Sequence, residues 1–143
     1  MMTAKEYLGQ AYRLDQHIKD RLLQLSQLRS LTQQITTAYD REVVSRTRNV
    51  HALEDSVIRL MEAEEEINRE VDQFVDTKMD ISKTIAMVRN ENYRLILEKR
   101  YLCFMTWEQI SLDMNYTNRW LRKMHDRALD VVDRILLERG VAV

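Results

Sequence analysis

Two long heptad tracts restrict the fold of this chain more than any other feature of its sequence. From Tyr7 to Tyr39, positions at alternating spacings of four and three are apolar in eight of ten cases. The same spacing from Leu53 to Val88 gives nine apolar residues in eleven positions. A repeat of 3.5 residues held over this length is typical of helices that pair in a left-handed coiled coil. The chain also contains no proline, which would interrupt such helices.

A polar segment separates the two tracts. Residues 40–49 (DREVVSRTRN) lose the heptad period, so we predict a loop there, with the two helices folded back antiparallel on each other. Leu22, Leu31 and Met61 lie beside the seams and widen the apolar stripes, which favours contact among more than two helices. We therefore expect residues 1–90 to form a helical hairpin that associates as a homodimer.

Four seam positions are not apolar: Arg21, Thr32, Glu64 and Lys78. Polar residues inside a seam often fix the register or the oligomeric state at some cost in stability. They are equally compatible with exposure at a frayed or bent part of the hairpin. Both interpretations are open at the level of the sequence.

The character of the chain changes after residue 90, where we predict a small three-helix domain over residues 91–143. Its first helix spans residues 93–102. Thr106 and Gln109 have the spacing of a capping box, which starts a short helix over 106–114. Asn115 then stands where a helix-ending residue with positive φ is needed, and Thr117 can cap a last helix over about 118–138. Two helices joined by so short a corner form a helix-turn-helix.

The start of this last helix carries positive charge on the side opposite its buried face. With Leu121 at the centre of the apolar stripe, Arg119, Arg122 and Lys123 all point away from the core, and Asn118 lies in the same first turn. Cations at a helix N-terminus oppose the helix dipole, so helix stability does not explain them. A recognition helix presents its first turns to the major groove of DNA, where Arg, Lys and Asn can read base edges.

Further residues are candidates for contacts to the DNA backbone. They are cationic or carry a hydroxyl, and either kind of group can hold a phosphate: Lys99, Arg100, Thr117 and Arg127. By contrast, we expect Trp120, at the edge of the buried stripe, and His125, on its inner side, to be packing residues.

Residues 95–136, LILEKRYLCFMTWEQISLDMNYTNRWLRKMHDRALDVVDRIL, resemble the C-terminal DNA-binding region of bacterial sigma factors. The residues in register with that pattern are Thr106, Trp107, Glu108, Ile110, Met114, Thr117, Leu121, Ala128 and Leu129. With YLGQAYRLDQHI and TRNVHALED, the whole chain is similar to small late-gene transcription regulators of phages and prophages. The resemblance implies binding to double-stranded DNA through Asn118, Arg119, Arg122 and Lys123. Host RNA polymerase is a further partner that it suggests.

Several other classes of function find no support in the composition. There is no glycine-rich phosphate loop, no nucleophile with a general base, and no ligand spacing among the three histidines, so we expect neither an enzyme nor a cofactor or metal site. Cys103 is the single cysteine, which favours a reducing, cytoplasmic environment in a bacterial host. No apolar run is long enough to span a membrane. The net charge of −1 means that any anion-binding surface is local.

Two other functions are compatible with the same elements. Small phage packaging subunits also join a helix-turn-helix to a coiled coil and form rings on DNA, although they generally carry the DNA-binding part first. A coiled coil of this kind can also act as an interaction module on RNA polymerase. The oligomeric state separates these possibilities, because a ring favours packaging and a dimer or a monomer favours regulation.

Overall fold

A computed structural model of the protein describes residues 2–41 and 46–140. These residues form helices and no strands, which confirms the all-α prediction. The helices are α1 (Ala4–Leu8), α2 (Gln10–Arg41), α3 (Arg46–Ala86), α4 (Glu91–Leu97), α5 (Trp107–Met114) and α6 (Asn118–Arg139). A π-helical segment, Glu98–Leu102, continues α4 directly. None of the helices in the described ranges is long and apolar enough to cross a membrane.

Residues 15–73 form one compact unit, built from most of α2 and the first two thirds of α3. Ion pairs join the two helices at Arg21–Glu66 (2.9 Å) and Arg29–Glu64 (3.1 Å). Because the residue numbers rise on one helix as they fall on the other, the helices are antiparallel, as predicted. The predicted loop over 40–49 is too wide, since α2 reaches Arg41 and α3 begins at Arg46. The rest of that loop, residues 42–45, lies outside the described residues.

The predicted seam of α2 is confirmed along its described length. Every seam position from Tyr7 to Ile35 is buried or half-buried, and Ile18 and Leu25 are the fully buried seam residues that α2 contributes to this unit. The side chain of Tyr39 lies outside the described residues.

The predicted seam of α3 is shifted by one residue in places. Val57 and Val71 are exposed, while Ser56 and Glu70 are half-buried in their stead. The Glu70 carboxylate lies 3.3 Å from His17 Nε2 and 3.6 Å from Arg21 Nε. The heptad count selected the valines because they are apolar. In the structure the less exposed side chains are those of the preceding residues, Ser56 and Glu70. The ion pairs of Glu70 with His17 and Arg21 make an acidic residue acceptable in this half-buried stripe.

Two of the four polar seam residues, Arg21 and Glu64, form ion pairs between the helices. Arg21 reaches Glu66 and Glu70 across the hairpin, and Glu64 reaches Arg29. Both are half-buried, so they bridge the two helices and are not exposed at a frayed end. This agrees with the interpretation that polar seam residues fix the register.

The second compact unit comprises the described residues of 1–14 and 74–143. Its core is formed by buried residues of α1, the end of α3, α4 and α6, among them Leu8, Ile81, Ile85, Leu97 and Val132. The predicted boundary at residue 90 had grouped α1 and all of α3 with the hairpin. In the structure α1, the first residues of α2 and the end of α3 belong to the same unit as the C-terminal helices. The reason is that α6 buries its apolar stripe against α1 and the end of α3.

A polar cluster lies inside this second core. The Tyr7 hydroxyl hydrogen-bonds to Asp80 and lies 3.0 Å from the Thr84 hydroxyl. Arg139, in the last turn of α6, donates to Asp80 Oδ1 at 3.0 Å and also to Thr84. Thr84 is fully buried. Through these four side chains α1, α3 and α6 are joined at one point by directional bonds as well as by apolar packing.

We predict that Tyr7→Phe lowers the free energy of unfolding by about 1–2 kcal/mol, because it leaves the buried Thr84 hydroxyl and the half-exposed Asp80 carboxylate each short of one partner. The half-exposed Tyr12 provides the control, since its hydroxyl is not part of this cluster. Urea denaturation of both variants is the measurement. Equal midpoints for Tyr7→Phe and Tyr12→Phe would show that the cluster adds no stability.

Candidate nucleic-acid interface

The short helix α5 starts at the capping box that the sequence predicts. Thr106 adopts an extended conformation, and its hydroxyl accepts a hydrogen bond from the Gln109 amide at 3.2 Å. The Gln109 side-chain oxygen accepts one from the Thr106 amide at 2.9 Å. Two amides that the helix leaves without partners are thereby satisfied, which fixes where α5 begins.

The corner between α5 and α6 spans residues 115–117 and is held by local hydrogen bonds. Asn115 has φ 61° and ψ 39°, the left-handed conformation that the sequence predicts. The Ser111 hydroxyl donates to the Tyr116 carbonyl at 2.5 Å, which ties the corner back to α5. Thr117 then accepts from the Trp120 amide at 3.2 Å and caps α6. Each element of the predicted corner is confirmed.

A small core beneath the corner determines which side of α6 faces outward. Its buried residues are Ile96 of α4, Ile110 of α5, and Leu121 and Met124 of α6. Leu121 is only 1% exposed, as the prediction of a buried centre requires. The outer side of the first two turns carries residues that are all exposed: Asn118, Arg119, Arg122 and Lys123.

The outward cations at the start of α6 are not neutralised by acidic side chains of the described residues. Arg119, Arg122 and Lys123 have no ion-pair partner among the described residues. The first turn of α6 also contains no acidic residue. The partial positive charge of the helix N-terminus adds to that of the side chains, so this surface attracts anions.

Two of the predicted phosphate contacts, Lys99 and Arg100, already have partners within the protein. Lys99 forms an ion pair with Asp113 of α5. Arg100 donates to the Met105 carbonyl at 3.0 Å and lies 4.8 Å from the centre of the Trp107 ring. Contacts from Lys99 and Arg100 to phosphate therefore stay predictions, and they require these side chains to leave or share their present partners.

Arg127 and Trp120 form a pair on the outer side of α6. The Arg127 guanidinium lies 5.9 Å from the centre of the Trp120 ring. Trp120 is 43% exposed, more than its predicted packing role suggests. The predicted position of Trp120 at the edge of the apolar stripe of α6 is compatible with this exposure. A side chain at the edge is buried only where a neighbouring helix reaches it.

Asp133 links the last helix to the first. It is half-buried, whereas Asp126 and Asp130 of the same helix are exposed, and it accepts a hydrogen bond from the Ala4 amide at 3.0 Å. It thereby satisfies an amide at the start of α1. Nothing in the local sequence indicates this partner, because the two residues are 129 positions apart.

A histidine beneath the interface has a more specific environment than its predicted packing role implies. His125 is 7% exposed, and its Nε2 lies 2.7 Å from the Tyr101 hydroxyl. The Trp107 ring meets it edge-on at a centroid distance of 4.6 Å. Burial lowers the pKa of His125 to about 4 and raises the pKa of Tyr101 to about 12. At neutral pH the imidazole and the phenol are thus both uncharged, and they share one hydrogen bond.

We predict that His125 makes the fold sensitive to acid. Its pKa is about 4 when folded and about 6.5 when unfolded. The unfolded state therefore binds more protons between these values, and stability falls as the pH decreases through this window. At pH 5 the loss amounts to about 2 kcal/mol relative to pH 7.

Urea unfolding at pH 7 and pH 5 measures this effect. His125→Gln should lose less stability than the parent protein over the same interval, while His51→Gln, at an exposed histidine of α3, should behave like the parent. The same pH dependence in all three proteins would contradict the prediction.

The described residues contain no group of three or more His, Cys, Asp and Glu that could hold a metal ion.

No curated protein and no solved structure matches the chain. Residues 41–132 match one family, described as "Protein of unknown function (DUF1492)". The matched range contains all of α3, α4 and α5 and more than half of α6, and so includes the corner with its exposed cations. Because it covers well over half of the 143 residues, the chain belongs to this family.

Proposed function

We propose that the protein is a sequence-specific regulator of transcription that binds double-stranded DNA and controls phage or prophage genes. The start of α6 enters the major groove, and α5 and the corner lie over the DNA backbone, as in a helix-turn-helix. The observation that carries this proposal is the group of exposed cations at the start of α6 that have no internal partner within the described residues.

The residue types at this surface suit base recognition. Arg122 and Arg119 can pair with the O6 and N7 atoms of guanine, and Asn118 with adenine. Since Leu121 and Met124 fix the rotation of α6 from below, the outer side chains share one orientation. A rigid helix that presents such donors in a fixed geometry favours reading of base edges over diffuse attraction to phosphate.

A homodimer through the hairpin completes the proposal. On α3, Val57, Met61 and Val71 are exposed and lie along one side of the helix, at steps of four and ten residues, next to the buried seam. Met61 is 57% exposed. Two paired helices cannot bury a second apolar line, but a second hairpin can cover it. A dimer then presents two copies of α6 and reads two half-sites.

Contact with host RNA polymerase is the other use that the exposed apolar line supports. An interaction module acting on polymerase would use the same hairpin surface without requiring base recognition. Binding of DNA therefore distinguishes the regulator from the module. The cytoplasm of a bacterial cell is where either role belongs, and it stays a prediction.

We predict that Arg122→Ala weakens binding to a selected operator by roughly 5- to 150-fold, which corresponds to the loss of one bidentate base contact of about 1–3 kcal/mol. Its thermal stability should change by less than about 0.5 kcal/mol, because the side chain is exposed. Arg134→Ala is the matched control, an exposed arginine three turns further along the same helix. The operator is obtained by selection from random duplex DNA, and binding is measured by fluorescence anisotropy.

A core variant separates folding from recognition. Leu121→Ala should destabilise the domain by about 2–5 kcal/mol and lose binding only as a consequence. If Arg119→Ala, Arg122→Ala and Lys123→Ala all bind the operator like the parent protein, α6 is not the recognition helix. The interaction module then replaces the regulator as the function.

We predict that the full chain sediments as a dimer at micromolar concentration. Val57→Glu combined with Met61→Glu should shift it to a monomer, because two carboxylates cannot be buried between hairpins without partners. Ser26→Glu, which adds charge at an exposed polar position of α2, should leave the dimer intact. A monomeric parent protein, or a ring of many subunits, would contradict the proposed assembly.

A further inference from the structure

A cavity of about 470 Å³ lies within the unit formed by the two chain ends and the C-terminal helices. Its walls come from α1, the first turn of α2, the π-helical segment and the residues that lead into α5. Cavities of this size bind small molecules in other proteins. The cations proposed to read bases, Arg119, Arg122 and Lys123, lie outside it, and Arg100 is the one predicted phosphate contact that lines it.

Aromatic rings form much of the wall. Tyr12, Tyr101, Phe104 and Trp107 all line the cavity. Tyr12 and Phe104 meet edge-on, with ring centres 5.6 Å apart and planes at 73°. Tyr12 is half exposed, so its ring remains available to a further partner. Aromatic side chains bind flat rings by offset stacking and edge contacts, which favours a planar ligand.

Positive charge surrounds the same cavity. Lys5, Arg13 and Arg100 line it, against one acidic residue, Glu6. Arg13 and Arg100 donate to the backbone carbonyls of Glu6 and Met105, which positions both guanidinium groups without neutralising them. Lys5 forms no ion pair in the part of the chain that the structure describes. The excess of cations favours an anionic ligand.

The backbone beside the cavity is strained. Phe104 has φ 56°, which is unusual for a residue with a bulky side chain. It follows the π-helical segment Glu98–Leu102 almost directly. Both features cost stability and are concentrated at functional sites. Here they place the Phe104 ring against Tyr12 and the Arg100 side chain over Trp107.

From this geometry we propose that the cavity binds a small planar aromatic anion, with its ring among Tyr12, Phe104 and Trp107 and its charge at Lys5 and Arg13. An aromatic carboxylate and a nucleoside monophosphate share this chemistry. The binding step does not depend on DNA. Because Trp107 begins α5 and also contacts His125 of α6, an occupied cavity is in contact with both helices that flank the corner.

The two tryptophans allow a direct test by NMR on the full chain. Trp107 lines the cavity and Trp120 lies on the outer side of α6, so a ¹⁵N-labelled protein gives two indole signals, which Trp120→Phe assigns. The probes are 2-naphthoate with its neutral partner 2-naphthamide, and adenosine monophosphate with adenosine. Within each pair the ring is the same and only the charged group differs.

We expect at least one anion to shift the Trp107 signal saturably and to bind about tenfold more tightly than its neutral partner, a difference of about 1.4 kcal/mol. Lys5→Gln and Arg13→Gln should each weaken that binding about fivefold or more, a loss of about 1 kcal/mol for each charge. Lys123→Gln removes the same charge outside the cavity and should leave binding unchanged. Which of the two anions binds identifies the carboxylate or the nucleotide as the ligand type.

Three results would overturn the proposal: no shift of Trp107 at millimolar probe, equal affinity for charged and neutral partners, or a shift of Trp120 alone. Operator binding by the same variants keeps this test separate from the proposed function. Lys5→Gln should bind DNA like the parent protein, and Lys123→Gln should bind it more weakly. The failure of one proposal therefore leaves the other standing.

Discussion

The exposed surface of α6 depends on how its apolar stripe is buried. Leu121 and Met124 pack against α4 and α5, and further along the helix Ala128, Val132 and Leu136 join the core made by α1 and the end of α3. A helix held along one face over about four turns cannot rotate, so the opposite face is fixed as well. The cations at its start point outward for this reason, and their orientation does not depend on any contact of their own.

Polar groups inside this core add direction to the packing. Apolar contacts are tolerant of small shifts, whereas the hydrogen bonds among Tyr7, Asp80, Thr84 and Arg139 require one relative placement of α1, α3 and α6. The hydrogen bond from Tyr7 holds the pKa of Asp80 below its usual value, so the carboxylate stays charged beside Arg139. Asp133 provides a second link by capping α1 from α6. These bonds hold the first residues of the chain against its last helix.

The sequence predicted those features of the fold that depend only on residues close together in the chain. The capping box at Thr106, the left-handed Asn115 and the cap at Thr117 each need only a few adjacent residues, and all three are present. The seam of α2 follows equally from one repeating pattern. What the sequence did not predict depends on partners far along the chain. The cap from Asp133 to α1, the pair of Tyr101 with His125, and the grouping of both chain ends with α6 are of this kind. Periodicity identifies a face as buried but does not identify which residues cover it.

The distribution of ion pairs gives the proposed interface its physical basis. On the hairpin, Arg21 and Arg29 reach glutamates of the acidic run at 62–66 and beside it, and in the second unit Lys99 and Arg139 reach Asp113 and Asp80. In each case a cation near the surface has an acidic partner within the fold. The three cations at the start of α6 have none among the described residues, although exposed Asp126 lies one turn further on. Their repulsion from each other and from the helix dipole costs a few tenths of a kcal/mol each, a cost that an anionic partner at this surface removes. With a net charge of −1, the molecule as a whole does not attract DNA. The proposed attraction to DNA is therefore local, and the start of α6 is a surface that can supply it.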